Sequence, residues 1–366
     1  MIGNCLNRSC CRCSGAALDS DKPLLGFDHG PRTSARSVLI DRFGRPVTNI
    51  RISLNSSSTC NFRCIHCHME GVKSSNSILM SADEIQRVVR VLSRFGVDAV
   101  KLTGGEPMLR HDIVEIVQKL RSVGLRELSI TTNGTRFSKL AEKLHAAGLS
   151  RVNISLHSLR KDRFQFIAGV DGYDAAINAV SAAIAAKLLP VKLNVTLMKS
   201  INDDEIEDMI EFVHSSGGNG EIILQLIELV VTDPEFYEKY HCDLVPVEER
   251  LKSQSVTVYR RGMHNRPRYV LPNGVTVEVV RPMHNSEFCM KNNRMRITHD
   301  GKFKPCLLRE DNHVDFLTSM RAGASDDEIA EFYKRAVLIR EPYFKSSELG
   351  VSALASSRPC SGACQD

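Results

Sequence analysis

Between Val38 and about residue 228 one hydrophobic pattern recurs: a short run of β-branched and aliphatic residues, then a stretch in which apolar side chains return every three or four positions. The runs RISL, VDAVKLT, ELSITT, RVNISL, VKLNVTL and EIILQLIE predict six strands, with helices between them over 81–95, 112–123, 136–147, 173–187 and 203–216. Local signals agree. Ser81 and Glu84 form a capping box ahead of the apolar stripe Ile85, Val88, Val89 and Leu92, and Gly96, Gly124 and Gly148 each stop a helix just before a strand. Regular βα alternation calls for parallel strands with helices packed outside them. Six such units predict an α/β fold built on an incomplete TIM-like (β/α)6 barrel, and barrels of this kind carry their chemistry in the loops after the strand C-terminal ends.

Past residue 229 the pattern changes to short β runs, SVTVYR, TVEVVR and RMRIT, with hairpin turns at Asn273-Gly274 and Asp300-Gly301. A smaller C-terminal α+β subdomain is expected over 230–345, ending in a helix that runs from its N-cap Ser325, with Glu328 three places on, to about Ile339. The barrel unit spans 37–229 and a tail covers 346–366. Residues 1–36, rich in Ser, Gly, Arg, Asp and Cys without any period, read as a disordered extension.

Composition narrows the chemistry. Against 43 Asp and Glu, the 48 Lys and Arg leave a net charge of +5 over 366 residues, too dilute for a nucleic-acid partner yet compatible with a local anionic ligand. No apolar run nears the roughly 18 residues that cross a bilayer, and the start MIGNCLNRSCCRC lacks a signal-peptide core, which points to the cytoplasm and to no membrane partner. In that compartment twelve clustered cysteines point to metal rather than to disulfides. Cys5, Cys10, Cys11 and Cys13 fall in the extension, with no element to frame them.

The informative cluster is Cys60-x3-Cys64-x2-Cys67, directly after the first predicted strand. Three thiolates hold three irons of a 4Fe-4S cluster and leave the fourth open for a ligand. A zinc site completed by His66 or His68 is the other reading of the same residues. At the end of the second strand stands Gly104-Gly105-Glu106-Pro107, whose glycines allow close backbone approach and whose carboxylate can accept from an ammonium group.

C-N-F-R-C-I-H-C followed by G-G-E-P resembles the radical S-adenosylmethionine (SAM) superfamily. The segments IDRFGRPVTNIRISL, CHMEG, KLTGGEPMLR, ITTNGT, RVNISLHSL, VKLNVTLMKSIND and FCMKNNRMRITHDGKFKPCLL narrow the resemblance to archaeal-type GTP 3′,8-cyclases of molybdenum cofactor biosynthesis, over about residues 38–310. The resemblance implies a lyase that cleaves SAM reductively and cyclises GTP between C3′ and C8, the first step towards molybdopterin. It implies a first 4Fe-4S cluster on Cys60, Cys64 and Cys67, and SAM contacts at His66, Gly104, Gly105, Glu106 and Ser155. For GTP it implies Arg51, Lys101, Thr132, Lys192, Arg294 and Arg296. An electron donor, the next enzyme of the pathway and a homodimer complete the expected partners.

Three places depart from the family pattern. A second 4Fe-4S cluster is expected on a C-x2-C pair and a later cysteine, yet the chain reads Cys289, then Asn292, then Cys306, and a neutral, hard amide oxygen replaces thiolate poorly on iron. The stretch from Arg51 to Cys60 is longer than usual, which bears on where Arg51 points, and the tail ends Ala363-Cys364-Gln365-Asp366 in place of Gly-Gly. Substitution by Cys242, Cys360 or Cys364, a radical enzyme with another substrate, and a catalytically silent iron-sulfur or nucleotide-binding relative all stay open at this point.

Overall fold

The computed structural model describes residues 37–72, 78–217, 220–231 and 233–344; Cys5, Cys10, Cys11, Cys13, Cys360 and Cys364 lie outside the described residues. All six predicted strands are present as β1 (Asn49–Ser53), β2 (Ala99–Thr103), β3 (Glu127–Thr132), β4 (Arg151–Ser155), β5 (Val191–Thr196) and β6 (Ile222–Ile227), paired parallel in chain order. They are followed by β7 (Thr257–Arg260), β8 (Pro267–Val270), β9 (Thr276–Val280), β10 (Arg294–Ile297), β11 (Lys302–Lys304) and β12 (Val314–Asp315). These later strands join the same sheet. Strand β9 pairs parallel with β6 and β10 parallel with β1, so eight parallel strands lie side by side, with antiparallel β8 and β7 beyond one edge and β11 and β12 beyond the other.

The helices α1 (Ala82–Ser93), α2 (Ile113–Arg121), α3 (Ala141–Ala146), α4 (Lys161–Ala168), α5 (Tyr173–Ala185) and α6 (Ile206–Gly217) fill the crossovers. The Ser81–Glu84 and Ser325–Glu328 capping boxes both form, the latter on the helix Asp326–Leu338. Helix α3 starts later than its periodicity predicts, because Gly134 to Leu140 are tied into turns around the buried Phe137. The short α4 was not predicted, nor were Pro234–Tyr240 and Val245–Gln254, each of which carries proline in its first turn, where the missing N–H costs nothing.

Along the parallel strands the two faces differ. Ile50, Ile52, Val100, Leu102, Leu128, Ile130, Val152, Ile154, Leu193 and Val195 are buried in the apolar core. The alternate positions, among them Arg51, Lys101, Thr131, Asn153 and Asn194, line a cavity. A parallel sheet covered on both faces by apolar layers reads as continuous aliphatic runs; alternation here marks a polar interior.

One buried carboxylate ties the periphery to that interior. Asp41 accepts from Arg45 Nε at 2.8 Å and from Arg340 Nη1 at 2.9 Å, and both Asp41 and Arg340 side chains are fully buried. Arg45 Nη1 also donates to the Cys289 carbonyl at 2.9 Å, and Arg340 Nη2 donates to the Asn292 carbonyl. The loop carrying Cys289 and Asn292 is thus held by two arginines that share one anion. Removing one partner of a buried charge set strands the others. Asp41→Asn is expected to lower unfolding stability by roughly 3–5 kcal/mol in urea titrations; a loss below about 1 kcal/mol would show that the tie carries no weight.

Candidate active site

The cavity, about 570 Å³ in volume, runs along the strands towards their C-terminal ends. Strand register sets its charge. Arg296 on β10, Arg51 on β1 and Lys101 on β2 stand directly abreast, and Arg294 lines the same cavity two residues before Arg296. Like charges opposite one another on adjacent strands repel, so such a row calls for anions. Only Glu70 supplies one directly: its carboxylate pairs with Arg296 and lies 4.0 Å from Arg51. Burial pushes this carboxyl up, but Arg296 and Arg51 outweigh it and hold it down to about 2. Burial first, then Arg296, lowers the Arg51 guanidinium to about 10, and Arg51 Nε is buried without a hydrogen-bond partner. Arg51 stands in register between Arg296 and Lys101, and on the way to Cys60 the chain forms a one-turn helix, Ser57–Thr59, capped by the Ser56 hydroxyl.

Across the cavity, fully buried Glu278 accepts from Lys192 Nζ at 2.8 Å, Arg268 Nε at 2.7 Å and Gln225 Nε2 at 2.6 Å, and forms an ion pair with Arg266 Nη1 at 2.8 Å. Lys192 is therefore committed to a wall carboxylate. Arg266 keeps its buried Nε unpartnered. Lys101 Nζ donates to Asn153 Oδ1 at 2.8 Å, and Arg151 pairs with Glu127. Sequence reasoning missed Arg151, Asn153, Arg261 and Arg266, all of which line the cavity. In total nine Arg and Lys face four carboxylates there, so the cavity suits a polyanion.

Cys60, Cys64 and Cys67 line the same cavity, on the loop that follows β1. Burial, then the neighbouring thiols, pushes Cys64 up to about 12, and Cys60 and Cys67 are raised as well. The thiolate is the form that ligates metal, so a cluster held by these three residues would displace their protons on binding. Among the described residues no three His, Cys, Asp or Glu converge closely enough for a single ion, which goes against a zinc site. A cubane sets its thiolates farther apart than a lone ion does, and three thiols on one loop at the cavity wall fit a 4Fe-4S cluster that keeps one iron open. His66 Nδ1, on the same loop, is also buried without a hydrogen-bond partner, and the His66 ring packs edge-on to His157 at 4.5 Å.

The Gly104-Gly105 backbone lies hard against this loop. A Cβ on Gly104 would come within 2.8 Å of the Leu54 and Asn55 nitrogens, and one on Gly105 within 2.4 Å of the Ser56 carbonyl oxygen. Gly104 also has a φ of +123°, open only to glycine. Glu106 is buried and accepts from Thr132 Oγ1 at 2.6 Å, Asn133 N at 2.7 Å and Met108 N at 3.0 Å. Burial outweighs these donors and raises its carboxyl to about 7. Thr132 thus has its fixed partner in Glu106, while Ser155 lines the cavity on the same side.

The second set is different. Cys289 and Cys306 both line the cavity, but Asn292 Oδ1 already accepts from Arg294 N at 2.9 Å and meets His264 Nε2 at 3.1 Å. Cys242 is not among the lining residues. Two thiols and an engaged amide do not fit a three-thiolate cluster, and no step is assigned to one.

Cation row, three-thiol loop and Gly-Gly-Glu turn on parallel βα units together define a radical SAM protein, and the Radical SAM superfamily model matches residues 54–213. The fold agrees: the anSMEcpe structure with bound AdoMet has a TM-score of 0.53 at 17% identity, covering 78% of this chain and 81% of that one. Streptococcus suis SuiB bound to S-adenosylmethionine gives 0.54 at 17% identity over 71% of this chain, which spans only 60% of SuiB's length. Within that class the sequence is more specific. A Thermococcus kodakarensis protein named "Probable GTP 3',8-cyclase" is 50% identical over 84% of this chain and 100% of its own length. Its Pyrococcus horikoshii namesake is 48% identical over 85% and 99%. The Molybdenum Cofactor Synthesis C model matches residues 222–346. The chain belongs to the GTP 3′,8-cyclase family.

Anaerobically reconstituted protein is expected to hold about four irons per chain, to lose them in Cys64→Ser and to keep them in Cys289→Ser, while Asn292→Cys raises the content towards about eight. Eight irons in the unaltered chain, by metal analysis, would show that a second cluster assembles despite Asn292.

Proposed function

We propose that this chain is a radical SAM GTP 3′,8-cyclase acting in molybdenum cofactor biosynthesis. The observation that carries the proposal is one cavity in which three metal-ready thiols face a row of Arg296, Arg51 and Lys101 fixed by strand register. The cluster would be held by Cys60, Cys64 and Cys67, and with SAM it supplies a one-electron cleavage that takes hydrogen from substrate and yields 5′-deoxyadenosine.

The residues of the chain bind and orient. Arg51, Arg294, Arg296 and Lys101 take the triphosphate, because guanidinium forks match phosphate oxygens bidentately and the single Glu70 carboxylate leaves the row with excess positive charge. Lys192, through Glu278, fixes the opposite wall with Arg266. Thr132 acts beneath Glu106, which receives the SAM ammonium beside the Gly104-Gly105 backbone, His66 and Ser155. A SAM amine in that cradle and a triphosphate on the row would set the reacting ribose between them.

Among the described residues no helix is long and apolar enough to cross a membrane. All six described cysteines are free, which supports a reducing compartment, the cytoplasm. The reaction also needs an external electron donor and a following enzyme to take the product.

Incubated anaerobically with GTP, SAM and dithionite, the reconstituted protein should yield both 5′-deoxyadenosine and 3′,8-cyclised GTP by mass spectrometry. Deoxyadenosine without cyclised nucleotide would leave a radical SAM enzyme of another substrate. Neither product would sink the enzymatic reading.

Glu106 adds a pH signature. Its carboxyl is protonated below about 7 and cannot then pair with an ammonium, so SAM affinity is expected to rise as pH passes from 6 to 7. Above about pH 8 affinity should fall again as the SAM amine deprotonates. In Glu106→Gln, equilibrium dialysis on cluster-loaded protein should show weak binding without the rising limb; a rising limb retained in that variant would assign it to another group.

A further inference from the structure

Glu70 lies three residues after Cys67, and the nucleotide reading gives it no part. Its carboxylate reaches into the cation row, pairing with Arg296 and approaching Arg51, with all three side chains no more than 20% exposed. Among the described residues no second carboxylate forms an ion pair with the row. Arg294 meets only Asn49 Oδ1 at 3.3 Å and Met263 Sδ at 3.2 Å, Lys101 donates to an amide, and Glu127 is engaged by Arg151. One anion thus sits where the strand register concentrates positive charge.

We propose that Glu70 is a resident competitor for the phosphate-binding arginines, holding Arg51 and Arg296 until a polyphosphate displaces it. The proposal rests on the nucleotide reading of the cavity. A single carboxylate offers one charge and two oxygens, whereas a triphosphate offers several of each to the same guanidinium forks, so exchange favours the polyphosphate. A neutral nucleoside has nothing with which to displace the carboxylate.

The backbone around Glu70 ties this exchange to the cluster loop. Met69, Glu70 and Gly71 have φ values of 51°, 52° and 66°, a left-handed turn that only the glycine adopts freely. At one end Gly71 packs so closely on the Leu307 carbonyl that a Cβ would lie 2.0 Å from its oxygen. At the other, Met69 N donates to Cys67 Sγ at 3.4 Å, and Glu70 N donates to His68 Nδ1 at 3.1 Å. With the Gly71 end pinned, releasing the carboxylate frees the turn on the side of Cys67, and nucleotide arrival is felt at a cluster ligand.

The test compares cluster-loaded wild type with Glu70→Gln by calorimetry against GTP, inorganic triphosphate and guanosine. Competition predicts that the variant binds GTP and triphosphate about tenfold more tightly and guanosine as the wild type does. If Glu70 instead braces the arginines for substrate, the variant binds GTP equally or more weakly, and the proposal falls while the nucleotide reading stands. Wild type that binds neither GTP nor triphosphate overturns both. Hydrogen exchange on the wild type decides the matter even if the variant fails to load its cluster. Amides of Cys67 to Val72 should exchange faster with GTP than with guanosine, and equal rates would overturn the proposal.

Discussion

Three cations placed abreast on neighbouring parallel strands repel one another, and a fold that does this must supply anions or wait for one. Arg296, Arg51 and Lys101 are fixed in that arrangement by the β10–β1–β2 register, which is itself set by the apolar residues on the opposite face. A slip of one residue would turn Ile50 and Ile52 into the polar interior and Arg51 into the apolar core, so the hydrophobic layer enforces the charge row. The cavity responds with scattered internal carboxylates. Glu278 compensates Lys192, Arg266 and Arg268 on one wall, and Glu70 partly compensates Arg296 and Arg51 on the other. What is left over is positive.

Much of this was legible in the sequence. The six strands, the two capping boxes and the thiol loop could be read because each rests on a short local signal: an aliphatic run, Ser with Glu three places on, a cysteine spacing. The placement of β9 and β10 was not legible, because TVEVV and RMRI look like the hairpin strands they adjoin and nothing local says that each will pair parallel with a distant edge. Arg151 and Asn153 could have been found. RVNISL alternates polar with apolar, and a parallel strand with apolar layers on both faces has no reason to do so. Arg266 and His264 carry no such signal: they sit in an irregular segment before β8, and only the tertiary fold brings them to the cavity.

The segment around Asn292 is held in place without any ligand. Its Oδ1 accepts from Arg294 N, a local turn that asparagine makes well, and so helps lead the chain into β10. Its carbonyl and that of Cys289 are held by Arg340 and Arg45 through the shared Asp41. The loop is positioned from behind by buried charge, independently of whatever its side chains face. Cys289 and Cys306 can therefore stay at the cavity wall, and Arg294 and Arg296 can keep their register, whether or not iron is bound there.

This independence bears on how far catalysis depends on each half of the cavity. Strand β1 carries Arg51 and runs directly into the loop of Cys60, Cys64 and Cys67, so on the proposed reading the triphosphate row and the cluster loop share one covalent frame. Between them the chain makes only the Ser57–Thr59 turn, and Arg51 stays paired in register with both neighbouring strands. The Cys289–Asn292 segment is separate in sequence and has its own anchor in Arg45, Arg340 and Asp41. A change at Asn292 thus bears on the Cys289–Cys306 side of the cavity, while the cation row and the thiol loop, joined through β1, keep their own supports.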